Sequence, residues 1–202
     1  MNLPKLILLT PYSGPKEILF ETINSIISQL ARNDNWIIVL DNQDIEECRN
    51  LEKKYEQLIF LNYFGPRGAG NCRNMGLDYI SEKQKKEFLL LPFDGDDRIV
   101  DGGINFLKKK LQSEKYNIVS FAHTKIWSDQ TKRFVGYNGV FNIENLLKRY
   151  ITPCGSTVLK IEQPFILKNL RFGTRFRAND ALFFFQAVKY FGKFQCYPDL
   201  FL

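Results

Sequence analysis

Three carboxylates crowd one short segment, Leu90-Leu91-Pro92-Phe93-Asp94-Gly95-Asp96-Asp97, directly after an apolar run. Like charges this close repel and raise one another's pKa unless a cation or hydrogen bonds compensate. Hard divalent cations such as Mg²⁺ or Mn²⁺ are held by one or two carboxylates together with substrate phosphates. The alternative is an acidic turn whose Asp residues cap a helix near Asp101–Gly103. Placement at the end of a buried strand favours the metal reading.

A second segment runs Gly65-Pro66-Arg67-Gly68-Ala69-Gly70-Asn71-Cys72-Arg73-Asn74-Met75-Gly76. Glycines entering a helix let a phosphate approach backbone N–H groups, and a helix N-terminus favours anions. Arg67 and Arg73 add charge-assisted donors. Arg73 stands where the third glycine of a dinucleotide fingerprint belongs, so that motif fails. A tight turn with a helix cap accounts for the segment equally well. Third, Trp36–Leu40 ends in Asp41-Asn42-Gln43-Asp44. Asp41 is placed to accept from a nucleobase or ribose, while Asn42 or Asp44 suits a helix cap. Fourth, Arg175-Phe176-Arg177-Ala178-Asn179-Asp180 precedes an aromatic helix. Asp180 is either a first-turn acid stabilised by the helix dipole or a general base beside a cleft.

The elements that must position these groups follow from hydrophobic pattern. Lys5–Thr10, Trp36–Leu40, Leu58–Tyr63 and Phe88–Phe93 are apolar runs of strand length, as in a sheet covered on both faces. Lys16–Leu30, Ile45–Tyr55, Gly70–Ile80 and Gly103–Leu111 read as helices; in the first, Ile18, Leu19, Thr22, Ile23, Ile26, Ile27 and Leu30 share one face. This alternation predicts an α/β fold with a mostly parallel sheet. Ligands of such folds sit beyond the carboxyl ends of the strands. That rule puts Thr10–Ser13, Asp41–Asp44, Phe64–Asn71 and Asp94–Asp97 on one rim. Later, Tyr116–Thr124, Lys132–Tyr137 and Cys154–Ile161 read as strands, Val140–Tyr150 as mixed loop and helix. Glu162–Asn169 and Asp180–Phe191 read as helices.

Composition narrows the classes. With 202 residues and 45% hydrophobic content, the chain supports a core without disulfide or metal staples, and wholesale disorder is excluded. No run approaches the ~20 apolar residues of a membrane span. The opening residues lack a basic n-region and read as a first strand rather than a signal peptide. Cys48, Cys72, Cys154 and Cys196 form no CxxC pair, so reduced cytosolic thiols are expected. The net charge of +6 points to an anionic partner without naming it. Lysines and arginines are dispersed and no nucleic-acid-binding signature occurs, so no nucleic acid partner is expected. His123, the only histidine, lies in an apolar strand and reads as structural, as does the run Phe183-Phe184-Phe185.

Taken together, the four segments resemble the family 2 glycosyltransferases of the GT-A fold. Thr10-Pro11-Tyr12 is similar to that family's Pro-Thr-Tyr in altered order, and Val39-Leu40-Asp41-Asn42-Gln43 to its Val-Asp-Asp-Gly-Ser. Cys72-Arg73-Asn74-Met75-Gly76 follows Ala-Arg-Asn-x-Gly, Asp94-Gly95-Asp96-Asp97 the DxDD metal motif, and Asn179-Asp180 a Glu-Asp pair opening a late helix. The match runs in order from about Leu3 to Phe191. It implies one GT-A domain over 1–202, with a nucleotide-sugar half to about 112 and an acceptor-side half over 113–202. It implies inverting transfer from a nucleotide-diphosphate sugar, a UDP-sugar foremost, to a saccharide or lipid-linked acceptor in polysaccharide or glycolipid assembly. Thr10, Tyr12 and Asp41 would line the nucleoside pocket, with Arg73 and Asn74 near the ribose or diphosphate. Asp94 would meet the ribose or the metal's shell, Asp96 would hold Mn²⁺ or Mg²⁺, and Asp180 would be the base. The implied setting is cytoplasmic, with peripheral contact at the inner face of a membrane. Asn179 in place of Glu, and a chain that stops soon after the late helix, leave open a catalytically weak nucleotide-sugar-binding subunit of the same fold.

Overall fold

A computed structural model describes residues 3–43, 46–126, 129–148, 152–174 and 179–201. The first half alternates as the hydrophobic pattern predicts. β1 (Leu6–Tyr12), α1 (Lys16–Ile26), β2 (Asn35–Asp41), α2 (Glu46–Lys54), β3 (Leu58–Tyr63), α3 (Ala69–Lys83), β4 (Phe88–Pro92) and α4 (Gly103–Gln112) follow in order. Then come β5 (Ile118–Ile126), β6 (Lys132–Val135), β7 (Gly139–Phe141), α5 (Ile143–Lys148), β8 (Thr157–Ile161), α6 (Asn179–Phe191) and β9 (Phe194–Leu200). The sheet order is β3-β2-β1-β4-β8-β5-β9-β7, with β6 paired to β5. β3, β2, β1 and β4 run parallel, whereas β8 is antiparallel to both β4 and β5.

Side chains alternate across a strand, so each central strand feeds two cores. Leu6, Leu8, Trp36, Ile38 and Leu40 pack with Leu19, Ile23 and Ile26 of α1, Cys48 of α2 and Leu107 and Leu111 of α4. Ile7, Leu9, Ile37 and Val39 face the other way, onto Cys72, Leu77 and Ile80 of α3 and Phe183, Phe184 and Ala187 of α6. The result is a sheet with helices on both sides. Phe183 and Phe184 are core residues, as their apolar run suggests.

Three expectations about elements change. Glu162–Asn169 forms only a 3-10 turn, Pro164–Lys168. Gly139–Phe141, overlapping the start of the mixed stretch, is a strand. Residues after the late helix, to which the hydrophobic pattern assigns no element, form β9, inserted between β5 and β7. Pro198 lacks an N–H for a ladder, and the register shifts there, from Tyr197↔Phe121 to Leu200↔Ala122. That irregularity lets a proline-bearing strand sit inside a sheet.

Candidate functional site

The carboxyl ends of β1 and β4 open onto a cavity of about 570 Å³. Its walls are Pro11–Pro15 after β1, Ile18 of α1, Ala69 and Arg73 of α3, Asp94–Asp96 after β4 and Asp180 at the start of α6. The acidic turn is fixed from beneath. Phe93 is fully buried against Trp36, edge to face at 6.0 Å, and its N–H donates to Leu9 O at 2.9 Å. The Thr22 hydroxyl donates to Gly95 O at 2.9 Å. A Cβ on Gly95 would drive into the Tyr12 ring, with Cε2 at 2.9 Å, so a side chain there would displace the aromatic wall. The turn is not a helix cap: α4 begins at Gly103 behind Gly102, which makes no side-chain capping bond.

Arg73 is the cationic centre. It is only 4% exposed, ion-pairs with the Asp94 carboxylate and lies over the Phe172 ring at 5.1 Å. Burial alone favours its neutral form, but Cys154, Asp94 and Asp180 around it push its pKa up. Burial, reinforced by Asp94 and Asp96, pushes Asp97 up to about 7. The turn thus relieves its own repulsion by pairing one carboxylate with Arg73 and holding a proton readily on another. Asp96 is exposed at the cavity wall and accepts no hydrogen bond among the described residues.

The arrangement suits a divalent cation in one respect only. Among the described residues no group of three or more His, Cys, Asp or Glu side chains is arranged to hold a metal ion. A cation here would rest on Asp96 and need oxygens from a bound phosphate to complete its shell, which is the habit of Mg²⁺ sites.

Tyr12, Arg73, Asp94, Asp96 and Asp180 come together at this cavity, and three other expected residues do not line it. Thr10 is fully buried, with its hydroxyl accepting from Trp36 Nε1 at 2.9 Å. It steadies the strand below the cavity and is not part of its lining. Asp41 accepts from Gly68 N–H at 2.9 Å and from Asn42 Nδ2 at 2.7 Å, while Asn42 Nδ2 also donates to Gly65 O at 3.0 Å. Asp41 and Asn42 therefore clasp the glycine loop. Asn74 turns away to the backbone of Phe172, donating to its carbonyl at 3.1 Å and accepting from its N–H at 2.8 Å. Asp44 and Arg175–Ala178 lie outside the described residues. Gly14, Pro15 and Ile18 complete the walls from outside the expected rim segments. The readable sign was a Gly-Pro pair entering a helix just past the first strand.

The cysteines are free among the described residues. Burial, with Asp41 nearby, pushes Cys72 up to about 12; burial pushes Cys196 up to about 12 and raises Cys154 strongly although Arg73 opposes it. Only thiolates alkylate rapidly. We expect native protein at pH 8 to react with iodoacetamide at these three positions orders of magnitude more slowly than denatured protein, by peptide mapping. Prompt native labelling of Cys154 would contradict this. His123 also keeps its structural reading: it is half-buried, its Nδ1 lies 3.3 Å from Ser156 Oγ, and burial lowers its pKa.

Known structures place this architecture. Staphylococcus aureus TarS 1–349 superimposes over 98% of the chain with a TM-score of 0.74 at 15% identity, the chain covering 59% of it. The fold is GT-A-like. TarS 1–349 in complex with UDP-GlcNAc gives a TM-score of 0.72 at 15% identity over 97% of the chain and 58% of that protein. Its complex with UDP gives 0.69 at 13% identity, over 97% and 60%. An uncharacterized glycosyltransferase of Methanocaldococcus jannaschii is 30% identical over 81 residues, 38% of the chain and 28% of that protein. The chain thus spans less than a third of that relative and about three fifths of TarS 1–349. No family model matches it.

Proposed function

We propose that the protein is an inverting glycosyltransferase that moves a sugar from a nucleotide-diphosphate donor onto an acceptor hydroxyl. The observation that carries this reading is the meeting of Arg73, Asp94, Asp96 and Asp180 in one 570 Å³ cavity at the strand ends. The UDP-GlcNAc and UDP complexes of TarS 1–349 support a UDP-sugar as donor. Tyr12 and the Pro11–Pro15 loop flank the nucleoside, and Arg73 meets the diphosphate as a buried donor of charge-assisted hydrogen bonds. Mn²⁺ or Mg²⁺ on Asp96 supplies Lewis-acid stabilisation of the departing diphosphate when bound. Asp180 takes the proton of the acceptor hydroxyl while that oxygen attacks the anomeric carbon opposite the leaving group. One displacement inverts the configuration, by the facial logic of inverting hydrolases. Acceptors are saccharide or lipid-linked chains of polysaccharide or glycolipid assembly. Free cysteines support a cytoplasmic setting, and the +6 charge supports peripheral contact with an anionic membrane surface. Among the described residues no helix is long and apolar enough to cross a membrane.

UDP titrated against the protein should raise its melting temperature, and more so with Mn²⁺. At a hundred times Kd the stabilisation is about 2.7 kcal/mol, or about 2–4 °C per kcal/mol for a chain of this size. Asp96→Ala should erase the Mn²⁺ increment and keep the shift by UDP alone. Absence of any shift with UDP or other nucleotide diphosphates defeats the reading. The Arg73–Asp94 pair, which removes one carboxylate from metal duty, favours a second reading as a nucleotide-sugar-binding subunit with weak catalysis. Donor binding without turnover across a broad acceptor panel decides for it.

A further inference from the structure

Arg171 and Phe172 form a bridge between the two helices that carry the chemical groups. From α3, Asn74 pairs with both backbone groups of Phe172 at 2.8 and 3.1 Å, and Arg73 lies over the Phe172 ring. Asp78, one turn on, accepts from Arg171 Nη2 at 2.6 Å. From α6, Gln186 Oε1 accepts from Arg171 N–H at 2.7 Å, and Phe183 stacks on Phe172 with centroids 4.2 Å apart and planes 4° from parallel. Phe183 stands three residues beyond Asp180, hence on the same helical face. One short segment therefore sets the spacing between Arg73 on α3 and Asp180 on α6.

We propose that Asn74 is a positioning residue for Asp180, acting through Phe172 and Phe183 rather than through contact with the donor. Its amide mimics a strand neighbour, with one donor and one acceptor matched to one residue's N–H and C=O. Such a pair fixes Phe172 along the chain direction as well as across it, which the ring contacts cannot do because stacked rings slide. The segment sits on 98 residues of sequence separation from Asn74, so nothing local would restore its register. The half-buried Asn74 amide also has no apolar reason to face Phe172; the paired hydrogen bonds are what turn it from the cavity. This inference rests on the reading of Asp180 as the base.

Asn74→Leu removes both hydrogen bonds at similar volume, and Asn74→Asp keeps the acceptor while setting a carboxylate against Phe172 O. Both should leave the UDP dissociation constant within twofold of wild type by calorimetry. Both should slow UDP release from UDP-N-acetylglucosamine by about a hundredfold in kcat with KM unchanged, the scale of an ångström's misplacement. Hydrogen exchange should quicken at the amides of 180–186 in both variants. Loss of UDP affinity in step with turnover would overturn the proposal by placing Asn74 at the donor. Unchanged exchange over 180–186 would overturn it independently of catalysis. A wild-type protein that neither binds UDP nor releases it from the donor, while Asn74→Leu still loosens α6, defeats the glycosyltransferase reading and leaves the mechanical link standing. If Asn74→Leu does not fold, Asn74→Asp carries the same outcomes.

Discussion

Asp180→Asn should lower sugar transfer by about 10²–10⁴-fold, the usual contribution of a positioned general base, while UDP affinity stays within a factor of two. The substitution is mild where it matters for folding. Asp180 Oδ1 accepts from Ala181 N–H at 3.1 Å, and an asparagine retains that oxygen. What it removes, on the proposed reading, is the ability to accept the hydroxyl proton. It also removes one of the carboxylates that hold Arg73 charged, but Asp94 remains ion-paired to it. The guanidinium therefore stays charged and, on the proposed reading, placed for the diphosphate. Transfer kinetics with a UDP-sugar, paired with calorimetry of UDP alone, check the expectation. A fall in kcat and kcat/KM together, with KM steady, is the signature of an interaction made in the transition state. A matching fall in UDP affinity would instead make Asp180 part of the donor pocket and remove the base from the mechanism.

The sheet's parallel half was legible because strands buried on both faces leave long apolar runs, as Leu6–Leu9 and Ile37–Leu40 do. The second half was less so. Gly139–Phe141 is three residues long and half-exposed, below any periodic signature. Phe194–Leu200 contains Pro198 and Asp199, which argue against an interior strand until the register shift opposite Ala122 is known. At the site, spacing led to the loops that line the cavity, but not to which side chains within them face it. Thr10, Asp41 and Asn74 sit beside cavity residues in sequence, yet strand alternation sends Thr10 to Trp36, and hydrogen-bond demand turns the other two to backbone. Those backbone partners, Gly68 and Phe172, are set by tertiary packing, which no local pattern encodes. Tyr12, Arg73, Asp94 and Asp96 do line the cavity: Tyr12 ends β1, Asp94 and Asp96 follow β4, and Arg73 lies early in α3, near the strand ends where the α/β rule places ligands.

The largest expected loss of stability lies at the opposite end of the sheet. Lys108 Nζ of α4 bonds both Asp34 oxygens, at 2.7 and 2.9 Å, with side chains 3% and 0% exposed. Asp34 also accepts from Leu6 N–H and Ala31 N–H, each at 2.8 Å. One carboxylate thus fastens the start of β1, the turn before β2 and the middle of α4. Forming a buried pair brings little net stability, because desolvation offsets attraction; removing one partner strands a charge and costs about 3–5 kcal/mol. Lys108→Met keeps the aliphatic stem and deletes only the ammonium, so the loss isolates the charge rather than a cavity. It should lower the urea midpoint by about 1–3 M at the m-values of small domains, with m unchanged. The Asp34 side chain is fully buried, and Lys5 is a further cation close enough to act on it. Because the pair lies at the amino ends of the strands and the cavity at their carboxyl ends, UDP should bind the folded variant with wild-type affinity. A midpoint shift equivalent to less than 1 kcal/mol would mean that Asp34 is already satisfied by its two N–H donors. The lysine would then be a passenger of α4 rather than its anchor.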